Sequence, residues 1–296
     1  MNKLKYLIII LLLLSLNINA QELLKYKECN NPKISNDYYT GVILALTFNN
    51  PDYKVPAAIE TYSKKIDKNI CMYYLNPTDL NLDIDLSQLI IFSDNKKYIY
   101  NSILDVTNGT NLNKYYKAKL YKYNFDYKDG IYFNKVNNSK HNIALFLNLE
   151  CPYSSDFYKL FYKLYNNNKN NFKDINVILY LYDYNLNNLK PIISHALKNN
   201  LLESSSEDFN KLLYNYYSIS SLSSSDLNKI FNVKYDNENK VNEYINKISS
   251  IYKSMNIKGT PGILINSIFI EEEDLGILNK IFKEELNLDL NKELRR

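Results

Sequence analysis

The stretch 151–154, Cys-Pro-Tyr-Ser, places a thiol where a strand is expected to lead into a helix. It follows the apolar run 143–149 and precedes apolar residues at helical spacing over 157–164. At a helix N-terminus, backbone N–H groups and the helix dipole stabilise negative charge, which favours the nucleophilic thiolate form of a cysteine. Pro152 fits the first helical turn, where its missing N–H costs nothing. The pattern therefore predicts a reactive thiol at Cys151.

Ser154 occupies the position at which a redox-active Cys-x-x-Cys pair would have its second thiol. A serine cannot attack a mixed disulfide and so cannot release a bound client. Two interpretations of Ser154 follow: its hydroxyl hydrogen-bonds the thiolate and supports a single-thiol mechanism, or it is a neutral replacement. Cys151 itself is either a single-thiol nucleophile or a relic on a scaffold that only binds.

The chain has three cysteines, Cys29, Cys71 and Cys151. In an exported protein, an odd count leaves at least one thiol outside any internal pairing. The simplest interpretation pairs Cys29 with Cys71 in a structural disulfide and leaves Cys151 free. The alternatives are that Cys29 or Cys71 resolves Cys151, that all three are reduced, or that one pairs with another chain.

Residues 1–20 have the pattern of a secretory signal peptide. Lys3 and Lys5 precede an unbroken apolar core over 7–14, and Ala20 ends a segment suited to cleavage. The apolar stretch is shorter than the about 20 residues of a membrane span, although an uncleaved anchor is the alternative. The sequence thus predicts export to a periplasm or to the outside of the cell.

Composition excludes several classes of function. A formal net charge of +4 over 296 residues gives no argument for nucleic-acid binding. The only two histidines, His141 and His195, lie at no metal-ligand spacing from a cysteine. We therefore expect no metal, no cofactor and no nucleic acid.

The region from 138 to 290 has a regular order of elements that positions Cys151. Buried strands are predicted over 143–149 and 175–182, because these apolar runs lack alternation and suit a sheet covered on both faces. A helix over about 152–166 separates them, and helical stretches at 189–201, from 206, from 225 and at 237–255 follow. The chain then returns to strands at 262–266 and 268–270 and ends in a helix over 275–286.

This order resembles the DsbA-like kind of thioredoxin fold, whose members are thiol-disulfide oxidoreductases. Two motifs carry the resemblance: Glu-Cys-Pro-Tyr-Ser at 150–154, similar to the family's Cys-Pro-Tyr-Cys, and Ile-Lys-Gly-Thr-Pro-Gly at 257–262, similar to its Gly-Thr-Pro loop. The resemblance implies that Pro261 is cis and faces Cys151, and that Thr260 offers backbone groups to an extended client. It implies client-contacting roles for Pro152, Tyr153, Thr260 and Pro261, and catalytic roles for Cys151 and Ser154.

The sequence departs from the family at two positions. Ser154 replaces the resolving cysteine, and Leu145 stands six positions before Cys151, where such families often have an acidic residue under the motif. The loss of that buried proton acceptor fits a site that no longer manages two thiols.

The N-terminal region has a less regular pattern. Strands are predicted at 41–48, 89–92 and 98–100, a helix over 56–65, and a half-exposed strand over 115–127. We predict a small α+β domain over 21–137, followed by a thioredoxin-like domain over 138–290 with a helical insertion at about 186–250 and a tail over 291–296. The N-terminal domain is expected to be a dimerisation or client-binding platform, by analogy alone.

Three hypotheses about function follow. The first is an exported single-thiol reductase or isomerase that acts on client disulfides, with an external thiol reductant as partner. The second is a redox-inactive chaperone or peptide-binding module that uses the groove at Pro261. The third is a glutathione-linked thiol transferase, which would need a basic or polar pocket for the tripeptide, and the sequence shows no sign of one.

Overall fold

The computed structural model describes the chain in segments separated by gaps. These segments are 22–23, 29, 59–77, 90–93, 99–100, 103–107, 109–219, 230–231, 238–271 and 276–290. The predicted signal peptide (1–20), the strand at 41–48, the helix from 225 and the tail (291–296) lie outside the described residues. Among the described residues, no helix is both long and apolar enough to cross a membrane.

Contacts divide the chain into two compact units. One comprises Glu22–Lys122 and the other has Tyr123–Arg296 as its main segment. The sequence pattern predicts this boundary at 137/138. Contacts place it earlier because the strand Ile131–Asn134 pairs with the sheet of the second unit.

The second unit is built on a five-stranded mixed sheet. Its strands are β9 (Ile131–Asn134), β10 (His141–Asn148), β11 (Ile175–Tyr182), β12 (Gly262–Ile265) and β13 (Ile268–Ile270), in the spatial order β13-β12-β10-β11-β9. Only β10 and β11 are parallel, with Ile143 opposite Val177 and Asn148 opposite Tyr182. The central strand β10 is fully buried over 143–147, which explains its apolar run without alternation.

Helices connect and cover this sheet. They are α2 (Pro152–Asn167), α3 (Leu186–Lys198), α4 (Glu207–Ser218), α5 (Glu238–Ser254) and α6 (Leu278–Leu286). Helix α1 (Leu112–Leu120) lies in the first unit. Helix α2 makes the crossover between the parallel strands β10 and β11, while α3, α4 and α5 fall between β11 and β12. The predicted thioredoxin-like fold with a helical insertion is confirmed by this order of elements.

The first unit contains a four-stranded antiparallel sheet. Its strands are β2 (Ile59–Asp67), β3 (Ile70–Pro77), β4 (Ile90–Ser93) and β5 (Ile99–Tyr100), in that spatial order. Short pairs join β1 (Glu22–Leu23) to β8 (Tyr121–Lys122) and β6 (Leu104–Asp105) to β7 (Thr110–Asn111). Helix α1 (Leu112–Leu120) contributes Leu120 to a core that includes Met72, Tyr74, Ile90 and Phe92.

Side chains of β3 alternate between two environments. Met72 and Tyr74 face the core with Leu120, whereas Cys71 and Tyr73 form a separate cluster with Cys29. Cys71 and Cys29 are joined in a disulfide. The period of two along the strand thus separates the apolar core from the disulfide.

Two predictions for the first unit were wrong. Residues 59–67 form strand β2 rather than a helix, because all of them except Ile66, which lies at a bulge, pair with residues of β3. A short isolated helix is only marginally stable by itself, so this pairing outweighs the helical spacing. Residues 112–120 form α1 rather than a half-exposed strand. Asn111 caps this helix by accepting hydrogen bonds from Asn113 N–H and Lys114 N–H at 3.0 and 3.2 Å.

Candidate active site at the carboxyl end of strand β10

Cys151 lies three residues beyond β10 and forms the N-cap of α2. Its backbone is extended, with φ −79° and ψ 120°, and Pro152 occupies the first helical turn. The Cys151 carbonyl accepts the first helical hydrogen bond from Ser155 N–H at 3.0 Å. The thiol is partly exposed and is the one free cysteine in the described part of the chain. It is therefore open to a partner molecule.

The loop before β12 meets this thiol across 109 positions of sequence. The Thr260–Pro261 peptide bond is cis, and the Cys151 S–H donates to the Thr260 carbonyl, with Sγ and O 3.1 Å apart. Sheet register explains the approach, because Gly262 pairs with Phe146 and so brings the preceding loop to the carboxyl end of β10.

Gly262 lets this loop pack closely against the sheet. A Cβ at this position would lie 2.9 Å from Phe269 Cζ and 3.5 Å from Phe146 Cβ. The first distance is shorter than a van der Waals contact, so any larger residue would displace Phe269. Glycine at this position therefore keeps Pro261 against the sheet.

Ser154 is fully buried and faces away from solvent. Its Oγ accepts a hydrogen bond from Asn148 N–H at 3.2 Å. Among the described residues, no hydrogen bond joins Ser154 to the Cys151 sulfur. The geometry fits a serine that fixes the backbone before the nucleophile more closely than one that contacts the thiolate.

The predicted client-contacting residues differ in exposure. Tyr153 is 63% exposed and Pro152 is exposed beside it, whereas Thr260 is half-buried and Pro261 is buried. Of these four residues, Pro152 and Tyr153 therefore present their side chains to solvent, whereas Thr260 and Pro261 lie largely within the fold.

Tyr217 is a site residue that sequence reasoning missed. It lies in α4, is buried, and donates from its hydroxyl to the Asn148 carbonyl at 3.4 Å. Burial raises the pKa of Tyr217 well above its ordinary value, and negative charge at Tyr216, Cys151 and Asp183 adds to the effect. Tyr217 is therefore a neutral hydrogen-bond donor beneath the site. In a chain with 29 tyrosines, no local pattern distinguishes it.

Asp183 is a second residue that sequence reasoning missed. It directly follows β11, and its side chain is buried, with 1% exposure. Its Oδ1 accepts a hydrogen bond from Asn185 N–H at 2.8 Å. Its Oδ2 has no hydrogen-bond partner among the described residues. The pKa of this carboxyl is raised to about 6, with burial as the largest cause and the charge of Glu150 contributing, while hydrogen bonds from Asn185 and Asn188 oppose the rise.

The position of Asp183 follows from the sheet. Because Asn148 pairs with Tyr182, Asp183 emerges level with the residue after β10, at the same end of the sheet as Cys151. The position six before Cys151 holds Leu145, fully buried and paired with Leu179. An acidic residue directly after the second apolar run is the signal that would have found Asp183.

The two histidines lie outside this constellation. His195 Nδ1 lies 2.7 Å from the Phe231 carbonyl, and His141 Nδ1 lies 3.3 Å from the Asn266 side-chain amide. No group of three or more potential metal ligands occurs in the described segments.

A pocket opens beside the loop at Thr260. Its volume is about 390 Å³, and its lining includes Asn148, Tyr182, Tyr252 and Thr260. Cys151 N–H donates to the Asn148 carbonyl at 3.3 Å, and the Cys151 sulfur contacts the Thr260 carbonyl, so the pocket adjoins the thiol.

Comparison with known proteins gave structural neighbours only. No protein-family model matches the chain, and no curated protein matches it. ScsC of Proteus mirabilis in a transitional conformation has 16% identity and a TM-score of 0.43, covering 55% of this chain and 74% of its own. A putative protein-disulfide isomerase from Pseudomonas syringae has 12% identity and a TM-score of 0.40, covering 57% and 98%. The thiol-disulfide exchange protein alpha-DsbA2 from Wolbachia pipientis has 21% identity and a TM-score of 0.40, covering 52% and 86%.

Proposed function

We propose that this protein carries out thiol-disulfide exchange on client disulfides through the single thiol of Cys151. The observation that carries the proposal is the contact between Cys151 Sγ and the carbonyl of Thr260, next to the cis Thr260–Pro261 bond. A partly exposed thiol at a helix N-terminus, facing a loop with backbone groups for an extended client, has the parts that exchange needs.

The chemistry requires one thiol on the protein and one from outside. The Cys151 thiolate attacks one sulfur of a client disulfide, a Cys151–client disulfide forms, and the second client sulfur leaves as a thiolate that takes a proton from solvent. A second thiolate, from an external reductant or from the client itself, then attacks the mixed disulfide and releases Cys151. In the first route a second reductant thiol then displaces the reductant from the client sulfur, so the reductant leaves as a disulfide and the client is reduced. In the second route the client's own thiolate forms a new client disulfide, so the client is isomerised.

Ser154 fits this scheme as a structural residue. Because its Oγ accepts from Asn148 N–H, it holds the backbone that leads to Cys151. It cannot resolve the mixed disulfide, so the lifetime of the intermediate depends on the outside thiol.

We further propose that the protein acts after export, in a periplasm or outside the cell. The disulfide between Cys29 and Cys71 supports this location, because disulfides persist in oxidising compartments. The signal-like pattern of residues 1–20 points the same way. Clients with cysteines and an external thiol reductant are the proposed partners, and the N-terminal unit is proposed as a client-binding or dimerisation platform.

A redox-inactive chaperone or peptide-binding module is the second candidate. The specific observation that favours it is the aromatic surface near the thiol, where Tyr153 is 63% and Tyr184 is 80% exposed. Exposed aromatic side chains bind extended apolar segments without any need for a thiol.

The test is trapping of a mixed disulfide. The full chain would be incubated with a model peptide disulfide and examined by intact mass under non-reducing conditions. We expect one peptide adduct on the wild type, released by added thiol, and none on Cys151→Ser. Cys29 and Cys71 should stay bonded to each other throughout.

Binding of a cysteine-free unfolded client separates the two candidates. If the wild type forms no adduct while wild type and Cys151→Ser bind that client equally, the exchange function is wrong and the binding module replaces it. An adduct on Cys29 or Cys71 would equally contradict the assignment of Cys151.

A further inference from the structure

The pocket beside Thr260 has an aromatic wall. Tyr182 stacks on Tyr252, with ring centroids 5.1 Å apart, and meets Tyr184 edge-on at 5.2 Å. The hydroxyl of Tyr252 donates to the Tyr180 carbonyl at 2.8 Å, which fixes that ring against the sheet. Tyr184 is 80% exposed, so the wall continues from the buried sheet edge to the surface. The rings of such a wall are held in place by their packing, and they offer an apolar surface on which an extended peptide can pack.

The lining also carries positive charge. Lys253 and Lys258 both line the pocket, and no acidic residue lines it. The turn after α5 brings them together: Asn256 adopts a left-handed backbone, φ 52°, and Ile257 N–H donates to the Tyr252 carbonyl at 3.1 Å. In the described part of the chain, neither lysine forms an ion pair with an acidic side chain.

Two acidic residues at this end of the sheet, Glu150 and Asp183, belong to other contacts. The Glu150 carboxylate accepts from the Asn188 amide at 3.1 Å, and Asp183 accepts from Asn185 N–H. Neither residue lines the pocket. Lys253 and Lys258 are therefore the charged side chains that an occupant would meet.

The pocket also has the right size and place for part of a substrate. A volume of about 390 Å³ lies within the range of small-ligand sites. Its lining includes Thr260, whose carbonyl lies 3.1 Å from the Cys151 sulfur. A group bound there would flank a disulfide presented to Cys151.

We infer, on the basis of the exchange function proposed above, that this pocket selects disulfides whose flanking group carries carboxylates. The occupant is either a low-molecular-weight acidic thiol of the glutathione type or an acidic segment of a client protein. In both cases Lys253 and Lys258 contact the carboxylates, while Tyr182, Tyr184 and Tyr252 contact the chain beside them. Oriented charge of this kind sets selectivity and rate rather than the chemistry itself.

The test compares three symmetrical peptide disulfides that differ only in the residues beside cysteine: Glu-Cys-Glu, Gln-Cys-Gln and Lys-Cys-Lys, all with blocked ends. The rate of adduct formation on Cys151 would be measured for wild type, Lys253→Gln, Lys258→Gln and the double variant. Lys173→Gln is the control, since this exposed lysine precedes β11 at the other end of the strand.

We expect each pocket substitution to slow the acidic probe about twofold to fivefold, as for exposed charge pairs, and to leave the glutamine probe unchanged. Because each variant is compared with wild type on the same probe, differences in leaving-group chemistry cancel. The effect should shrink at high salt. Equal slowing of all three probes, or an equal effect of Lys173→Gln, would overturn the inference.

A non-reactive ligand separates failure of the pocket from failure of the exchange function. The peptide Glu-Ser-Glu would be titrated into the full chain while tyrosine ring signals are followed by NMR. Binding that is lost in the double lysine variant supports the pocket even if Cys151 forms no adduct. If Glu-Ser-Glu does not bind, and adducts form on Cys151 at a rate that does not depend on the charge of the peptide disulfide, the inference about the pocket is wrong. The proposed exchange function is not affected by that result.

Oxidised glutathione distinguishes the two sources of carboxylate. A greater slowing by the double lysine variant, relative to wild type, for oxidised glutathione than for the Glu-Cys-Glu disulfide assigns the pocket to a low-molecular-weight thiol. A greater slowing for the Glu-Cys-Glu disulfide assigns it to an acidic client segment.

Discussion

The two units place sulfur at different points on their sheets. In the N-terminal unit, Cys71 lies within strand β3, is 5% exposed and is bonded to Cys29. In the thioredoxin-like unit, Cys151 lies beyond the end of β10, at the start of α2, and is partly exposed and free. A sulfur inside a strand is enclosed by neighbouring side chains, whereas one at a strand-to-helix junction faces solvent and backbone N–H groups. The location on the sheet separates a buried, disulfide-bonded cysteine from a partly exposed, free one.

Each of the two sulfur sites, the disulfide and the free thiol, also has a buried serine that fixes nearby backbone. Ser63 accepts from Cys29 N–H at 3.1 Å and donates to the Cys29 carbonyl at 2.8 Å. Ser154 accepts from Asn148 N–H, three residues before Cys151. Serine thus holds the disulfide segment directly but holds the reactive cysteine only through the strand that precedes it. The cysteines and their serines can be changed independently, which allows the contrast to be tested.

The largest effect is expected from removing the disulfide. Cys29 and Cys71 are 42 positions apart, and a loop of that length stabilises a protein by about 4 kcal/mol in the chain-entropy account. We expect the double variant Cys29→Ser/Cys71→Ser to lower the stability of the N-terminal unit by about this amount, as measured by urea unfolding followed by circular dichroism. The rate of adduct formation at Cys151 should be unchanged. A large loss of that rate would show that the two sulfur sites are coupled.

The next effect is expected from supplying a second thiol to the reactive site. Ser154→Cys would place a thiol one helical turn into α2, at a buried position near Cys151. Because intramolecular attack has a very high effective concentration, we expect the mixed disulfide to be released at least about a hundredfold faster. Intact mass against time after adduct formation measures this lifetime.

Ser155→Cys is the matched control for that change. Ser155 lies one position further along α2 and donates to the Tyr217 carbonyl at 2.9 Å, so its side chain points in another direction. We expect little change in the lifetime of the adduct. Equal release by both variants would mean that the position of Ser154 has no special geometry for resolving a disulfide.

A pH-dependent effect of intermediate size is expected from Asp183. Its pKa in the folded protein is about 6, above the ordinary value of 3.8. The folded state therefore binds more protons than the unfolded state between about pH 4 and 6, so this group lowers stability as pH rises through that window. A shift of this size corresponds to about 2 to 3 kcal/mol. The loss of stability from ionised Asp183 is complete above about pH 6 and absent below about pH 4.

Asp183→Asn should remove this loss of stability. We expect the variant to gain stability over wild type at pH 7.5 and to match it near pH 4, as measured by urea unfolding at both values. Asp174→Asn is the control, because Asp174 precedes the same strand and pairs with Lys140 at the surface. A pH-independent difference between Asp183→Asn and wild type would contradict the role of burial at Asp183.

The two units also differ in how far the sequence predicts them. In the thioredoxin-like unit, long apolar runs at 143–149 and 175–182 have no competing pattern, and both form strands. In the N-terminal unit, 59–67 and 112–120 mix tyrosine, lysine and small residues, which fit a helix and a strand about equally. Pairing with β3 and the cap at Asn111 decide between them, and neither is visible from local spacing.

The sequence predicts those parts of the candidate site that belong to a short sequence motif. Cys151 and the cis bond before Pro261 are marked by short motifs, and sheet register then brings them together. Asp183, Tyr217 and the lysine side of the pocket have no motif, since their roles come from which strand ends and helix turns become neighbours. Local sequence thus predicts the reactive atom better than its surroundings.

The smallest effects are expected from the two buried serines, and they test the contrast most finely. Ser63→Ala removes two hydrogen bonds and leaves both backbone groups of Cys29 without them, so we expect a loss of about 1 to 2 kcal/mol in the N-terminal unit. Ser154→Ala removes the single hydrogen bond from Asn148 N–H, with an expected loss of about 1 kcal/mol in the other unit.

Urea unfolding measures both losses, and adduct formation supplies the second readout. Because Ser154 contacts the backbone of Asn148 rather than the sulfur, Ser154→Ala should keep the wild-type rate at Cys151 across pH. A rate that falls while stability is unchanged would reassign the Ser154 hydroxyl to the thiolate. The two serines would then differ in kind, with Ser63 fixing backbone and Ser154 taking part in the exchange.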